Sequence, residues 1–527
     1  MRDFHTPGRS VTITRNAMCA TSHPLAAQTA IAILQDGGNA VDAAVGAAVL
    51  LGFCEPQMTG LGGDMFALIK PAGGGEMIGM NASGRAPAAL SAEALRGEGL
   101  TTLKGHVASV TVPGAVDGFC RLIADHGALP LDKVLAPAIA HAEAGVPVAP
   151  RVAADWAEAA GRLQGRAIDH YTDAGAPLPM AASFRAPGQA EVLRRIARDG
   201  RDGFYTGEVA ADMVDSLNAL GGVHTLDDFA AARADYVTPV SAPYRGATLT
   251  ELPPNGQGVT AILLTQILAQ FDLASMDPNG ADRAHLEIEA TKLAYDARNR
   301  FIGDADTTTR ADYMTSPETA KALAALIDPN RAMADPTLLS EQVHRDTIYI
   351  TVVDADGMAV SMIYSIFSTF GSGLASDRFG ILFHDRGAGF NLTPGHANEA
   401  QGGKRPMHTI IPAMLTLPSG DLMPFGVMGG PYQACGHARF VSNVVDYGMD
   451  PQAAIDGPRC FPDPELGGVR IERSYPETVK AELEAMGHRL VDMPLPIGGA
   501  QAILIDREKG VLIGGSDPRK DGLAIGY

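Results

Sequence analysis

The sequence is short of cysteine, of basic charge and of long apolar runs, and each shortage removes a class of protein. Five cysteines in 527 residues (Cys19, Cys54, Cys120, Cys435 and Cys460) are widely spaced and odd in number. No Cys-x-x-Cys and no Cys/His ligand spacing occurs, so neither a disulfide framework nor a zinc site is indicated, and the thiols are expected to be buried. Lys and Arg number 41 against 60 Asp and Glu, a formal charge of −19. That argues against nucleic acid, whose phosphates need a basic surface, and against an anionic membrane. It leaves room for an anionic small molecule, which needs only a local arginine. No apolar run reaches membrane-spanning length, and the first thirty residues carry Arg2, Arg9 and Arg15 with no apolar stretch before Cys19. The expectation is a cytoplasmic protein with no membrane or nucleic-acid partner. The glycine-rich turns lack Gly-x-Gly-x-x-Gly spacing in a strand–turn–helix context, and no cofactor is expected.

What is present is material for a large core, with 46 % of residues hydrophobic. Length alone suggests several domains, but one large α/β unit cut into two interlocked chains reads the same way. Residues 21–51 hold two small-residue helical runs joined at Gly37-Gly38, with Pro24 near the first start and Asn39 placed to cap the second. These should pack closely on each other and on a sheet, with His23 as a capping residue. Gly60-Leu61-Gly62-Gly63-Asp64 precedes a strand at 65–69 and reads as tight backbone packing. Residues 109–118 read as a strand-to-helix junction, 131 to about 218 as helical, 247–252 as a strand, and 259–271 and 287–300 as amphipathic helices. His285, Glu287 and Asp296 do not repeat at i, i+4, so that charged helix face reads as solvated rather than as a metal set. Residues 328–346 are polar, contain Pro336 and show no sustained period, as in an exposed linker.

The stretch richest in chemistry runs from Arg345 to Gly373. Residues 347–354 are mostly apolar and β-branched, Asp356-Gly357 marks a turn, and 358–367 return as a second apolar run. That is a hairpin, with both faces covered. Asp346-Thr347 stands at its mouth. If the bond between them is cut, Thr347 gains an α-amine beside its own hydroxyl. Such an amine titrates at about 7.7–8.0 and can serve as a general base at neutral pH.

Thr347 to Gly357, Phe370-Gly371-Ser372-Gly373, Lys404-Arg405-Pro406, Gly429-Gly430 and Ser516-Asp517-Pro518-Arg519 follow the order found in the γ-glutamyltranspeptidase family. The chain resembles that family along essentially its whole length. The resemblance implies an α/β (α+β) fold: the αββα sandwich of the N-terminal nucleophile hydrolases, made as one proenzyme that cleaves itself between Asp346 and Thr347. A large chain, 1–346, and a small chain, 347–527, would interlock in one globular unit, with a further homo-oligomer left open. It also implies Thr347 as nucleophile, Ser365 as the hydroxyl bonded to it, and Gly429 and Gly430 as the oxyanion-hole donors. His408-Thr409 stand in the substrate-positioning segment where the family has Ser-Ser. No metal is implied.

The acyl-group reader departs from the family. The arginine that holds a glutamyl α-carboxylate is replaced at its slot by Ser83, with Arg85 nearby as a substitute or as a surface ion-pair residue. A family Asn becomes Phe367, and the Gln and Asp that grip the α-amino group correspond to Arg386 and Gly389. Arg386 would repel an ammonium and favour a carboxylate. The segment from Phe390 to Lys404 is short, which implies an open pocket. The expected reaction is transfer of an acyl group from an amide to water or an amine acceptor through acyl-Thr347. γ-Glutamyl amides such as glutathione are the leading substrate class, and another small carboxylate-bearing amide is the alternative. An unprocessed, inactive homologue acting as a binding protein is the reading from a different class.

Overall fold

The computed structural model describes residue 5 and residues 8–333, 348–463 and 466–527. Asp346, Thr347 and most of the expected linker lie outside the described residues.

The hairpin forms as its composition requires. Ile348–Val353 and Ala359–Ser365 pair antiparallel from Ile348↔Tyr364 to Val353↔Ala359. Asp354 shapes the turn, its Oδ1 accepting the N–H groups of Asp356 (3.1 Å) and Met358 (2.9 Å), and Gly357 takes the left-handed conformation at φ 83°. Every residue of both strands is buried. Strand alternation sends Ile348, Ile350 and Val352 to one core, and Tyr349 and Val353 to another.

The two cores exist because the hairpin lies inside a sandwich. One seven-stranded sheet runs in the order Leu523–Gly526, Met18–Thr21, Ile348–Val353, Ala359–Ser365, Asp64–Lys70, Ile78–Ala82, Asp235–Val237. The other runs Thr12–Thr14, Val511–Ser516, Gly499–Asp506, Leu422–Met428, Ala413–Thr416, Ala247–Glu251, Val240–Tyr244. Phe66, Leu68, Tyr349, Ile363, Met414, Met428 and Ile503 fill the space between them. Helices Pro24–Gln35, Ala40–Cys54 and Leu131–Ala144 cover the first sheet; Gly258–Leu268, Ala281–Phe301 and Tyr432–Val445 cover the second. This is the expected αββα layering. Strands from before residue 334 and after residue 347 share both sheets, and Met18–Thr21 lies between Leu523–Gly526 and Ile348–Val353.

The first two helices behave as their residues suggest. His23 caps the first through Nδ1, and Asn39 with Asp42 forms a capping box on the second. A side chain at Gly46 would meet the Ile33 Cδ1 at 2.3 Å, so glycine sets their close approach. Four cysteines are buried, Cys120 is half-buried, and all five are free thiols.

Three stretches depart from the pattern reading. Residues 109–118 hold no strand: Val107–Ser109 is a 3₁₀ turn, the helix starts at Ala115, and the backbone between bonds to loops, Val112 N–H to the Arg85 carbonyl and Gly114 N–H to that of Gly63. Gly258–Leu268 is buried all round instead of amphipathic, because it lies beneath other helices. Asp282 and Arg300, near the ends of Ala281–Phe301, are exposed, but the charges along its middle are not solvated. Glu287 is buried between Arg283 (3.0 Å) and Arg439 (2.6 Å), and Glu289 is buried against Lys292 (2.9 Å).

Candidate active site

The site grows from the mouth of the hairpin. Ser365, the last residue of its strand, pairs across the sheet with Asp64, the first residue of the next. Gly63 allows this approach, since a Cβ there would stand 2.5 Å from the Ser365 carbonyl oxygen. On the other side the last described pair is Ile348↔Tyr364, one step short of Ser365. Beyond Ser365 the chain turns sharply, with Phe367 in the left-handed region at φ 79°, a costly conformation for a bulky residue. That turn lets Ser365 Oγ accept the Phe367 N–H (2.8 Å) and places the Phe367 ring 4.2 Å beneath the Arg386 guanidinium.

Asp64 is the hub behind Ser365, and it has no exposed surface. Its Oδ1 accepts the N–H groups of Gly84 (2.9 Å) and Gly114 (3.2 Å); its Oδ2 accepts His408 Nε2–H (3.1 Å). His384 Nδ1 stands at 3.4 Å and Arg386 Nε at 3.8 Å from the same oxygen. Burial alone would raise the carboxyl pKa, but His384 and His408 outweigh it and hold Asp64 well below the usual carboxylate range. His408 is pushed down to about 3, by burial first and by Arg386 second, so its ring is neutral at pH 7. His384 Nε2–H is turned to the Thr111 carbonyl (2.8 Å).

Arg386 is fully buried, and its pKa falls to about 10 through burial, opposed by Asp64 and Asp385, so it remains a cation at neutral pH. It donates to hydroxyls: Nη1 to Thr409 Oγ1 (3.1 Å) and Nη2 to Ser365 Oγ (3.4 Å). Its Nε has no hydrogen-bond partner among the described residues. Thr409 continues the network, its carbonyl accepting Gln257 Nε2 (2.7 Å), which also approaches the Gly430 carbonyl (3.4 Å). Gln257 is itself held by buried Arg298 (2.8 Å), stacked on Tyr295. Gly429 (φ 132°) and Gly430 (φ 56°) form the turn from strand Leu422–Met428 into helix Tyr432–Val445. A side chain at Gly429 would meet Gly498 Cα at 2.9 Å. Adjacent peptide N–H groups ahead of a helix can bind developing negative charge.

Ser365, Arg386, His408, Thr409 and the glycine pair are thus brought into one connected network. Arg85 is outside it: half-exposed, it pairs with Asp304 (3.3 Å) and donates to the Gly403 carbonyl. Ser83 is buried and bonded to Asn81 (2.8 Å). Gly389 faces the Met407 carbonyl, at 2.9 Å from where a Cβ would be, so an acidic side chain there needs a backbone shift. Asp64, His384 and Gln257 carry much of the site and were not singled out from the sequence. Asp64 sits in a glycine-rich turn whose packing role is also real, and Gln257 in Pro-Asn-Gly-Gln-Gly. The remaining signal was a charged residue opening an otherwise apolar strand.

Stacked antiparallel sheets between helical layers are the fold of the N-terminal nucleophile hydrolases, and here the hydroxyls of Ser365 and Thr409 connect through Arg386 and Gln257 to a glycine turn. Residues 26–527 match the γ-glutamyltranspeptidase family, and the chain belongs to it. Among the relatives, a glutathione hydrolase-like YwrD proenzyme of Bacillus subtilis is 35 % identical, covering 97 % of this chain and 98 % of its own. An oxamate amidohydrolase proenzyme of Klebsiella pneumoniae is also 35 % identical, covering 98 % and 100 %. The crystal structure of a cephalosporin acylase from Bacillus halodurans superposes with a TM-score of 0.91 at 36 % identity, covering 100 % and 99 %.

Proposed function

We propose that the chain is a self-cleaving threonine amidohydrolase whose acyl pocket takes a small amide bearing a carboxylate and lacking an α-amine. Arg386 is the observation that carries the reading. It is a buried cation beside Ser365 whose nearest carboxylate, Asp64, stands beyond hydrogen-bond distance and is engaged by two backbone N–H groups and His408. A substrate carboxylate fills the donor capacity that two hydroxyls leave open. Among the described residues, the two carboxylates that act on Arg386 are already engaged, Asp64 as above and Asp385 by the N–H and hydroxyl of Ser368 (3.0 and 2.7 Å), which leaves neither to receive an ammonium. The oxamate amidohydrolase among the relatives supports the same class.

In the cycle, cleavage after Asp346 frees the Thr347 amine. The amine takes the Thr347 hydroxyl proton, Oγ attacks the amide carbon, and the N–H groups of the Gly429-Gly430 turn stabilise the oxyanion. One such donor is worth about 2.7–4 kcal/mol. The amine then protonates the departing nitrogen, leaving an acyl-Thr347 ester that water, or an amine acceptor, resolves. Ser365, the last residue of its strand, is assigned here the role of orienting the nucleophile, supported by its position one step beyond the Ile348↔Tyr364 pair.

The test is a comparison of ammonia release from oxamate, succinamate and glutaramate with chromophore release from a γ-glutamyl anilide. The proposal expects higher kcat/KM on a carboxylate-only amide, and a loss of about a hundredfold in Arg386→Gln, the size of a charge-assisted pair. Preference for the γ-glutamyl compound, undiminished in Arg386→Gln, would overturn it. γ-Glutamyl amides are the second reading, supported by the glutathione hydrolase-like relative.

A further inference from the structure

The long helix Ala281–Phe301 places His285 and Glu289 four residues apart, hence on one face. His488, just past helix Glu477–Ala485, meets them from the other side, and all three are buried. One ligand atom of each lies within 4.8 Å of the others. We propose that His285, Glu289 and His488 form a divalent-metal site, with zinc as the fitting ion.

The donor chemistry argues for it. Two imidazoles and a carboxylate suit a borderline cation such as zinc better than calcium or magnesium, which prefer all-oxygen shells. His285 Nε2 meets the Asp328 carbonyl oxygen at 2.7 Å and must carry its proton there, so Nδ1 presents a lone pair to His488. An imidazole oriented by a carbonyl on its far nitrogen is the usual support of a metal ligand. The ring nitrogens His285 Nδ1 and His488 Nε2 are 2.7 Å apart, sharing one hydrogen. Zinc at about 2.0–2.1 Å from each nitrogen needs them roughly 3.4 Å apart, so the rings part by well under an ångström. His488 then carries its proton on Nδ1, and both rings ligate as neutral imidazoles. Glu289 already bonds Lys292 Nζ (2.9 Å) and the Met333 N–H (2.8 Å), but each carboxylate oxygen keeps a second lone pair.

The position gives the site a role. His285 and Glu289 precede the proposed cleavage point and His488 follows it, so the ion staples the two chains across the helix layer. Ala332 and Met333, at the end of the described part of the large chain, bond to the Met486 carbonyl (2.8 Å) and to Glu289. Metal occupancy and the end of the large chain are therefore tied to the same carboxylate. None of the three ligands belongs to the hydroxyl and glycine network at the hairpin mouth.

Purified protein, stripped with chelator and then dialysed against micromolar zinc, tests this by elemental analysis and thermal unfolding. The expected result is one zinc per 527-residue equivalent, a midpoint several degrees higher with zinc than with chelator, and loss of both in His488→Gln and Glu289→Gln. Cobalt in place of zinc should give visible absorption bands that the same variants abolish. If the variants do not fold, the wild-type stoichiometry and the chelator shift decide alone. Wild type holding less than a tenth of an equivalent of zinc, with an unchanged midpoint, overturns the proposal, as does full retention in either variant.

Discussion

Asp64 keeps its charge without water because its partners replace hydration: two peptide N–H groups and His408 by hydrogen bonds, His384 and Arg386 by proximity. Removing the charge leaves the buried Arg386 cation opposed only by Asp385, and losing one partner of a buried pair costs about 3–5 kcal/mol. Asp64→Asn should therefore lower the urea midpoint sharply and abolish turnover; a variant with wild-type stability would show that the hub is ornamental. His408 gives a pH signature. Its folded pKa lies at about 3, while an unfolded histidine protonates near 6.5. Between these values the unfolded chain binds a proton that the native chain refuses. Stability contributed by the neutral ring is thus complete above pH 6.5 and lost at about 1.4 kcal/mol per pH unit below it. Unfolding free energy should fall by about 2 kcal/mol from pH 7 to pH 5 through this residue. His408→Gln should flatten that part of the slope, and an unchanged slope would refute the assignment.

At the scale of elements, the site depends on two strands meeting without side chains between them. Gly63→Ala pushes a methyl against the Ser365 carbonyl, where the gap is 2.5 Å and the obstacle is backbone. Overpacking of this kind costs about 1–3 kcal/mol, and here it also displaces Ser365. The variant should lose stability in denaturant titration and lose activity by more than its folded fraction accounts for. Unaltered kinetics would mean that the pairing of Ser365 with Asp64 does not position the site. The hairpin, the two capped N-terminal helices and the layered class were legible because periodicity, caps and the Asp-Gly turn are local signals. Helix Ala281–Phe301 was misread for a physical reason: its partners Arg439 and His488 lie more than 140 positions away, and pattern alone cannot tell a paired buried charge from a solvated one. The same distance hid the Asp64–His408 contact, which spans 344 positions. Glycine turns and hydroxyls around the hairpin were legible; the acid beneath them was not.

Over the whole molecule, strands from both sides of the proposed cleavage point share each sheet. Met18–Thr21 is hydrogen-bonded to Leu523–Gly526 on one edge and to Ile348–Val353 on the other. Separating the chains would strip backbone partners from both sheets and expose the core between them. Cleaved protein should therefore elute as one species from size exclusion in native buffer and divide only in denaturant. The most direct measurement is the intact mass of freshly purified protein under denaturing conditions. The account predicts two chains, residues 1–346 and 347–527, with Thr347 at the amino terminus of the smaller. A single uncut chain that persists for days, yet hydrolyses amides, would contradict it.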